Sequence, residues 1–294
     1  MRSNIKAMVL IIILYSINIL GQSDNLNYNV TALWLFDEQV GFYPSHVLED
    51  FSDNNFPLVL GRGGQIVEGK YRNALDPIKQ EIIVLPPGEE EFGLKKMPIP
   101  EGRTVPPLTW ENAFYAGFMT SGERHLRKEV GFKKPTESKL NIGEFDWTVD
   151  FWFYPYCKSG NPGVLFEIGT GPRGENNKIT RISLSDDLKT FILFNESIQA
   201  EYKIGTVLDI NSWCHVAFVY DSKMKNIEHY INGKSISVLN NVNIAALDVG
   251  EEDYMTVGRD GMFRNPLQGK IDELRFSEGI AFDSEFLPPQ SSSP

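Results

Sequence analysis

Short apolar runs separated by turn-forming residues set the rhythm of this chain. Runs rich in Val, Ile, Phe, Trp and Tyr recur between clusters of Gly, Asn, Asp and Pro. That is the pattern of a protein built from strands and turns rather than helices. Strands are expected at about 31–36, 56–60, 147–155, 163–168, 180–185, 190–195, 213–221, 226–231, 234–239, 254–257 and 269–277. They suffice for an all-β fold of two antiparallel sheets packed face to face.

Alternation within the runs assigns faces. Along 147–154, Trp147, Val149, Phe151 and Phe153 fall on one side and Thr148, Asp150, Trp152 and Tyr154 on the other, because successive strand side chains point oppositely. The first set is the expected core. Residues 213–220 are apolar on both faces, so that strand is expected to be central and covered on both sides. The sharpest local signal is His229-Tyr230-Ile231-Asn232-Gly233-Lys234, where Asn-Gly supplies the positive φ angles of a two-residue hairpin turn. Asp260-Gly261 marks a second turn, and 159–163 and 170–177 read as loops.

The rhythm fails in three places. The first residues carry Arg2 and Lys6 before an apolar run from Ala7 to Leu20 and a small residue, Gly21, which reads as a secretory signal cleaved after residue 21; the run is shorter than the ~20 apolar residues a spanning helix requires. Residues 77–140, rich in Pro, Gly and Glu, read as an irregular insertion packed on or over the sandwich, and they are the candidate cover for the central strand. The final Pro-Ser-rich stretch, 289–294, reads as a linker or tail. The expected organisation is a signal peptide at 1–21, one sandwich domain at 22–288 and the tail.

Composition narrows the partners. Loss of Arg2 and Lys6 with the signal moves the net charge from −11 to −13, which argues against nucleic acid, since phosphate contacts need a basic surface. No stretch after residue 21 is apolar enough to insert in a membrane. The two cysteines, Cys157 and Cys214, are expected either to pair in the oxidising compartment that secretion implies or to remain as two buried thiols. Asn29 and Asn195 begin N-x-[ST] sequons, which matter in a glycosylating secretory pathway. None of the four histidines lies in a metal-binding or nucleophile motif. His215 reads as a hydrogen-bonded strand histidine, and His46, His125 and His229 as surface positions. Gly61-Arg62-Gly63-Gly64 lacks the lysine and helix start of a phosphate loop.

Three segments together resemble the laminin G-like family of concanavalin A-like sandwiches. Phe145-Asp146-Trp147-Thr148-Val149-Asp150-Phe151-Trp152-Phe153-Tyr154-Pro155 is similar to the family's D-F-T-V-x-x-W-V-x-P strand. Ser212-Trp213-Cys214-His215-Val216-Ala217-Phe218-Val219-Tyr220-Asp221, with Tyr230-Ile231-Asn232-Gly233-Lys234, resembles its W-H-H-V-A-x-V-Y-D and Y-V-D-G-K pair. Thr256-Val257-Gly258-Arg259 and Leu267-Gln268-Gly269-Lys270-Ile271-Asp272-Glu273-Leu274-Arg275-Phe276-Ser277 resemble its I-G-R and F-x-G-x-I-D-E-V-R-I-S ending. Cys214 departs from the pattern, standing where the family usually has a first histidine, and 77–140 departs throughout. The resemblance implies an antiparallel jelly-roll and a secreted, non-catalytic protein binding an extracellular glycan or glycoprotein in adhesion. A structural module without its own ligand is the alternative.

The resemblance also implies a structural Ca2+, with Asp272 and Asp37 as oxygen ligands. Asp272 alternates in phase with Leu274 and Phe276, so it faces inward unless a bulge intervenes, and a buried carboxylate must be paired or coordinated. A hydrogen-bonded or Arg-paired aspartate meets the same need without a metal. Trp152 and Tyr154, on the non-core face of their strand, are candidates for an aromatic platform against a sugar, with Trp110 and Tyr115 of the insertion at its rim; the competing expectation is that the insertion covers them. Glu144, Asp146 and Asp150 would share a strand face, yet the second glutamate expected in laminarinase-like hydrolases is absent, so no catalytic residue is assigned.

Overall fold

The computed structural model describes residues 28–41, 47–54, 56, 58–60, 64–77, 140–156, 163–169, 178–247, 254–261 and 265–290. Among these residues fifteen strands run in chain order: β1 (Tyr28–Trp34), β2 (Val47–Leu48), β3 (Leu58–Val59), β4 (Gln65–Glu68), β5 (Asn73–Asp76), β6 (Trp147–Pro155), β7 (Val164–Gly169), β8 (Ile179–Leu184), β9 (Thr190–Asn195), β10 (Ala200–Gly205), β11 (Cys214–Asp221), β12 (Asn226–Ile231), β13 (Lys234–Asn240), β14 (Tyr254–Val257) and β15 (Gly269–Gly279). They form an eight-stranded sheet in the order β13-β12-β11-β6-β15-β5-β4, with β1 also on β15, and a five-stranded sheet in the order β10-β9-β8-β7-β14. All the ladders within these two sheets are antiparallel. The expected all-β two-sheet sandwich is the fold.

The core lies between the sheets. Val149, Phe151 and Phe153 of β6 are at most 1% exposed. The aromatic residues there meet edge to face, as ring quadrupoles favour: Trp34 with Phe276, Phe166 with Phe276 and Phe191 with Phe218 have centroids 6.0, 5.1 and 5.0 Å apart. The hairpin between β12 and β13 turns on Asn232 and Gly233 at φ 51° and 76°, as Asn-Gly requires. A side chain at Gly233 would also run into the Phe286 carbonyl.

Every side chain of β11 from Cys214 to Tyr220 is buried. On the outer side its cover includes the segment after β15, which runs back over the large sheet. Phe282 and Phe286 stack on each other at 3.7 Å and 7°, packing with Ala217, Val219 and Tyr230 in a second apolar cluster. The Ala281 N–H donates to Thr148 Oγ1 (3.0 Å), the Phe286 N–H to the Gly233 carbonyl (2.9 Å) and the Tyr71 hydroxyl to the Pro289 carbonyl (3.0 Å). This strap supplies cover that had been expected of the insertion. Most of the insertion, the signal sequence, and Trp110, Tyr115, His46, His125 and Cys157 lie outside the described residues.

One expectation is corrected. His229 is not at the surface: β12 turns it inward, fully buried and stacked on Phe218 at 4.8 Å. Its ring nitrogens meet the Ala217 carbonyl (3.1 Å) and Thr206 Oγ1 (2.8 Å), and burial pushes its pKa down to about 4. Cys214, for which a disulfide with Cys157 and a buried thiol were both open, stands as a buried thiol among the described residues, its Sγ 3.5 Å from the Phe153 carbonyl. Burial raises its pKa to about 12, so the thiolate needed for reaction is scarcely populated.

Candidate functional site

The outer face of the large sheet carries the polar residues of β6. Asp150, 2% exposed, accepts from Arg275 Nε on one oxygen (2.9 Å) and from Arg275 Nη2 on the other (2.8 Å), with His215 Nε2 3.1 Å away. Burial alone would raise the carboxyl pKa, but the Arg275 charge and the His215 hydrogen bond outweigh it and hold the pKa below its ordinary value. His215 lies under the strap, its ring 5.7 Å from Phe286 and 6.2 Å from Phe282. Asp146 Oδ1 is engaged by the N–H and hydroxyl of Ser222 (2.8 and 2.6 Å), and Glu144 is exposed. Two carboxylates flanking a glycosidic bond, as hydrolysis requires, are not what these acids form.

Trp152, a candidate platform with cover as the competing expectation, is only 7% exposed. Tyr71 packs edge-on against it at 5.7 Å, Lys70 Nζ lies 4.8 Å over its ring and His215 is 5.4 Å away. Its cover comes from the turn between β4 and β5, which had no strand signal in the sequence. Tyr154 remains half-buried; Trp213 and Tyr156 contact it at 5.5 and 5.9 Å, and Lys270 Nζ lies 5.4 Å from its ring.

The bulge that decides Asp272 is present. The register of β15 against β6 shifts between Asp272 and Arg275, and Glu273 takes φ 50°. Asp272 therefore pairs with Trp152 on the outer face instead of pointing between the sheets. It is nonetheless fully buried, because the turn from Gly69 to Asn73 folds over it. The backbone N–H groups of Lys70 and Tyr71 both donate to its Oδ2 at 2.9 Å, and its Oδ1 has no partner among the described residues. Burial is the main cause that raises the Asp272 pKa to about 7. Asp37 meets the same turn from outside: its Oδ1 accepts the Asn73 N–H (3.2 Å) and its Oδ2 lies 3.4 Å from Arg72 Nη1. Among the described residues no group of three or more His, Cys, Asp or Glu side chains is placed to hold a metal ion.

An open concavity lies on the other sheet. A cleft of about 520 Å³ follows the outer face of β8, β9 and β10, lined by Arg181, Ser183, Thr190, Ile192 and Lys203, with the turn Ser185–Asp187 at one end and Asn265 beside Val164. Strand alternation builds it. Ile182, Leu184, Phe191, Leu193 and Ile204 fill the core from the same strands, leaving the polar residues between them to face outward. The end turn is pinned: Ser185 Oγ donates to Asp187 Oδ1 (2.6 Å), which also accepts the Lys189 N–H (3.0 Å), and the Thr190 N–H donates to Ser185 Oγ (3.0 Å). The Ser185 bond leads the contacts that lower the Asp187 pKa. At the other end the Val164 N–H donates to the Asn265 carbonyl (2.9 Å), and Asn265 Nδ2 donates to Asp260 Oδ2 (2.9 Å).

The cleft thus presents hydroxyls, an amide, a guanidinium and an ammonium on a rigid floor, a set suited to a ligand recognised through many hydrogen bonds. Its two carboxylates, Asp186 and Asp187, are neighbours on one turn rather than opposed across the cavity. No residue of this cleft was singled out from the sequence. The alternation of Arg181 and Ser183 with Ile182 and Leu184 was the available signal, but it does not tell which outward faces lie side by side.

Residues 134–284 match the model of the concanavalin A-like lectin/glucanases superfamily. No curated protein matches the chain. Similar solved structures include domain 4 of AbnA, a GH43 extracellular arabinanase from Geobacillus stearothermophilus, in complex with arabinotriose (18% identity, 86% of this chain and 94% of that one, TM-score 0.49). The binding domain of Paraclostridial Mosquitocidal Protein 1 matches at 16% identity over 86% of this chain and 50% of that one, TM-score 0.46. The Ruminococcus gnavus IT-sialidase CBM40 bound to α2,3-sialyllactose matches at 15% identity over 51% and 86%, TM-score 0.41. These likenesses are too distant to carry function.

Proposed function

Starting from the premise that the chain belongs to the concanavalin A-like lectin/glucanase superfamily, we propose that it is a secreted, non-catalytic module that binds extracellular glycans or glycoproteins in adhesion, with the cleft on the five-stranded sheet as its binding site. The observation that carries this reading is the cleft itself: about 520 Å³ of polar-lined space on a rigid sheet, within the range of small-molecule sites. Fold alone would not support it, since functions reside in sites grafted on folds. Residues 22–288 act as one domain after loss of the signal.

A structural Ca2+ belongs to the same proposal. Asp272 fits such an ion through its buried Oδ1, which has no partner among the described residues. Asp37 and backbone carbonyls would complete the shell, since Ca2+ takes six to eight oxygens. When bound, the ion would neutralise a carboxylate that burial otherwise keeps hard to ionise. On the other face, Tyr154 would offer an aromatic contact secondary to the cleft, with Trp152 as its buried support.

The test is a glycan array probed with the chain from residue 22, with Ca2+ and with chelator. Specific binding supports the module reading, and a chelator-dependent fall in melting temperature supports the ion. Folded protein that binds no glycan turns the reading to a structural module of a larger extracellular assembly.

A further inference from the structure

The groups that the cleft leaves open to a ligand differ from the charges that line it. Ser183 and Thr190 both line the cavity half-buried, and neither hydroxyl has a hydrogen-bond partner among the described residues. Ser183 pairs with Ile192 across β8 and β9. Thr190 lies two residues before Ile192 on the same face, so the two hydroxyls flank an aliphatic side chain at a diagonal spacing of about 7–8 Å. The cationic residues are already matched: Arg181 Nη1 lies 3.5 Å from Glu167 Oε2, and Lys203 Nζ lies 3.8 Å from Glu201 Oε1. Arg181 Nε is buried, so the guanidinium has no side-on pair of donors to turn toward a carboxylate.

The turn at the end of the cleft adds acceptors. Asp186 is exposed there, and Asp187 Oδ1 is held by Ser185 Oγ and the Lys189 N–H. An anion entering the cleft meets these two carboxylates, while a cation meets Arg181 and Lys203. A polyol suits both, because each hydroxyl can donate and accept. Among the described residues the lining has no aromatic side chain, its apolar part being Val164, Leu184 and Ile192, so a sugar finds no ring to stack on.

From these groups we propose that the ligand of the cleft is a neutral oligosaccharide, held at its hydroxyl edges by Ser183, Thr190 and the Asp186 carboxylate, with neither an ionic anchor nor a stacked ring. The inference rests on the cleft being the glycan site. Specificity then comes from hydroxyl positions: an epimer that turns one hydroxyl away leaves a polar group unpaired. Binding of this kind depends little on salt, since no ligand charge is there to be screened.

The experiment is a calorimetric titration of the full chain after signal removal with maltotriose, cellotriose and mannotriose, and with trigalacturonic acid and a sulfated disaccharide, each at ~50 and ~500 mM NaCl. Wild type is run beside Ser183→Ala and Thr190→Val, with the melting temperature of all three. The expected result is a neutral trisaccharide bound about ten-fold tighter than either anionic sugar, with its affinity constant within about two-fold between the two salt concentrations. Each variant should weaken it roughly five-fold at an unchanged melting temperature. An anionic sugar that binds as tightly as the neutral ones, with affinity falling as salt rises, overturns the inference in favour of an ionic grip and leaves the cleft as the site. Neutral binding untouched by either variant overturns the assignment of the hydroxyl contacts, and folded protein that binds none of the sugars removes both the inference and the cleft reading.

Discussion

Replacing Asp150 by Asn keeps the shape of the side chain and removes its charge. In the wild type the carboxylate is 2% exposed and receives three contacts of 2.8–3.1 Å from Arg275 and His215. In Asp150→Asn the Arg275 guanidinium, only 15% exposed at its side chain, loses its counterion with little water to replace it. Removing one partner of a buried ion pair costs about 3–5 kcal/mol. Arg275→Met strands the carboxylate instead, whereas the double variant leaves neither charge uncompensated. The two changes are therefore strongly coupled, with the double variant less destabilised than the sum of the singles by at least about 1 kcal/mol. Guanidinium chloride unfolding followed by tryptophan fluorescence reads all four proteins. An Asp150→Asn variant within about 0.5 kcal/mol of wild type, the range of neutral surface changes, refutes the assignment of this network as a buried fastening, as does strict additivity.

Three further outcomes follow from the same structure. The His229 pKa falls from 6.5 to about 4 on folding, so between those values the unfolded chain binds the extra proton and stability drops as pH falls from 6.5 to 4, by up to about 3 kcal/mol. Asp272, raised from 3.8 to about 7, acts oppositely when no cation is bound, its contribution being lost as pH rises from about 4 to 7. The difference between wild type and His229→Gln isolates the histidine and should shrink as pH falls, and a pH-independent difference contradicts it. Asn195 is fully buried, with Nδ2 donating to Thr180 Oγ1 and the Ala245 carbonyl, each at 2.8 Å. Asn195→Ala should cost about 1–3 kcal/mol, and mass spectrometry of protein from a glycosylating host should find the folded product modified at exposed Asn29 and not at Asn195. Phe282→Ala, which removes the stacked ring from the strap, should destabilise by about 3 kcal/mol in chemical unfolding; a loss below about 1 kcal/mol would mean the strap is dispensable.

The central strands were legible because their period is short and their faces differ. β6, β9, β12 and β14 begin and end where the alternation said, and Asn232-Gly233 fixed the hairpin through a backbone requirement that few other residues meet. β4, β5 and β10 escaped notice: Asn73-Ala74-Leu75-Asp76 and Ala200-Glu201-Tyr202-Lys203 carry too few apolar residues to mark a strand, and tertiary pairing with β15 and β9 makes them one. The surface expectation for His229 failed because a lone histidine among apolar neighbours gives no sign of which face it takes. The cover on Trp152 could not be traced in the sequence because it comes from a turn some eighty residues away. The bulge at Glu273 reversed the face expected of Asp272, and no residue type in that stretch announces it. The cleft stayed hidden for a related reason: its lining belongs to three strands and two loops whose adjacency is a product of the fold.

The most direct test of the glycan-binding account is to titrate the strongest glycan from the array against wild type and two variants, one on each face. Ser183→Trp fills the cleft on the five-stranded sheet, and Trp213→Ala strips the aromatic neighbour of Tyr154 on the large sheet. The account predicts that Ser183→Trp abolishes binding while Trp213→Ala, with its fold intact, retains affinity within about two-fold. Binding that survives in Ser183→Trp and disappears in Trp213→Ala would contradict it and move the site to the β6 face.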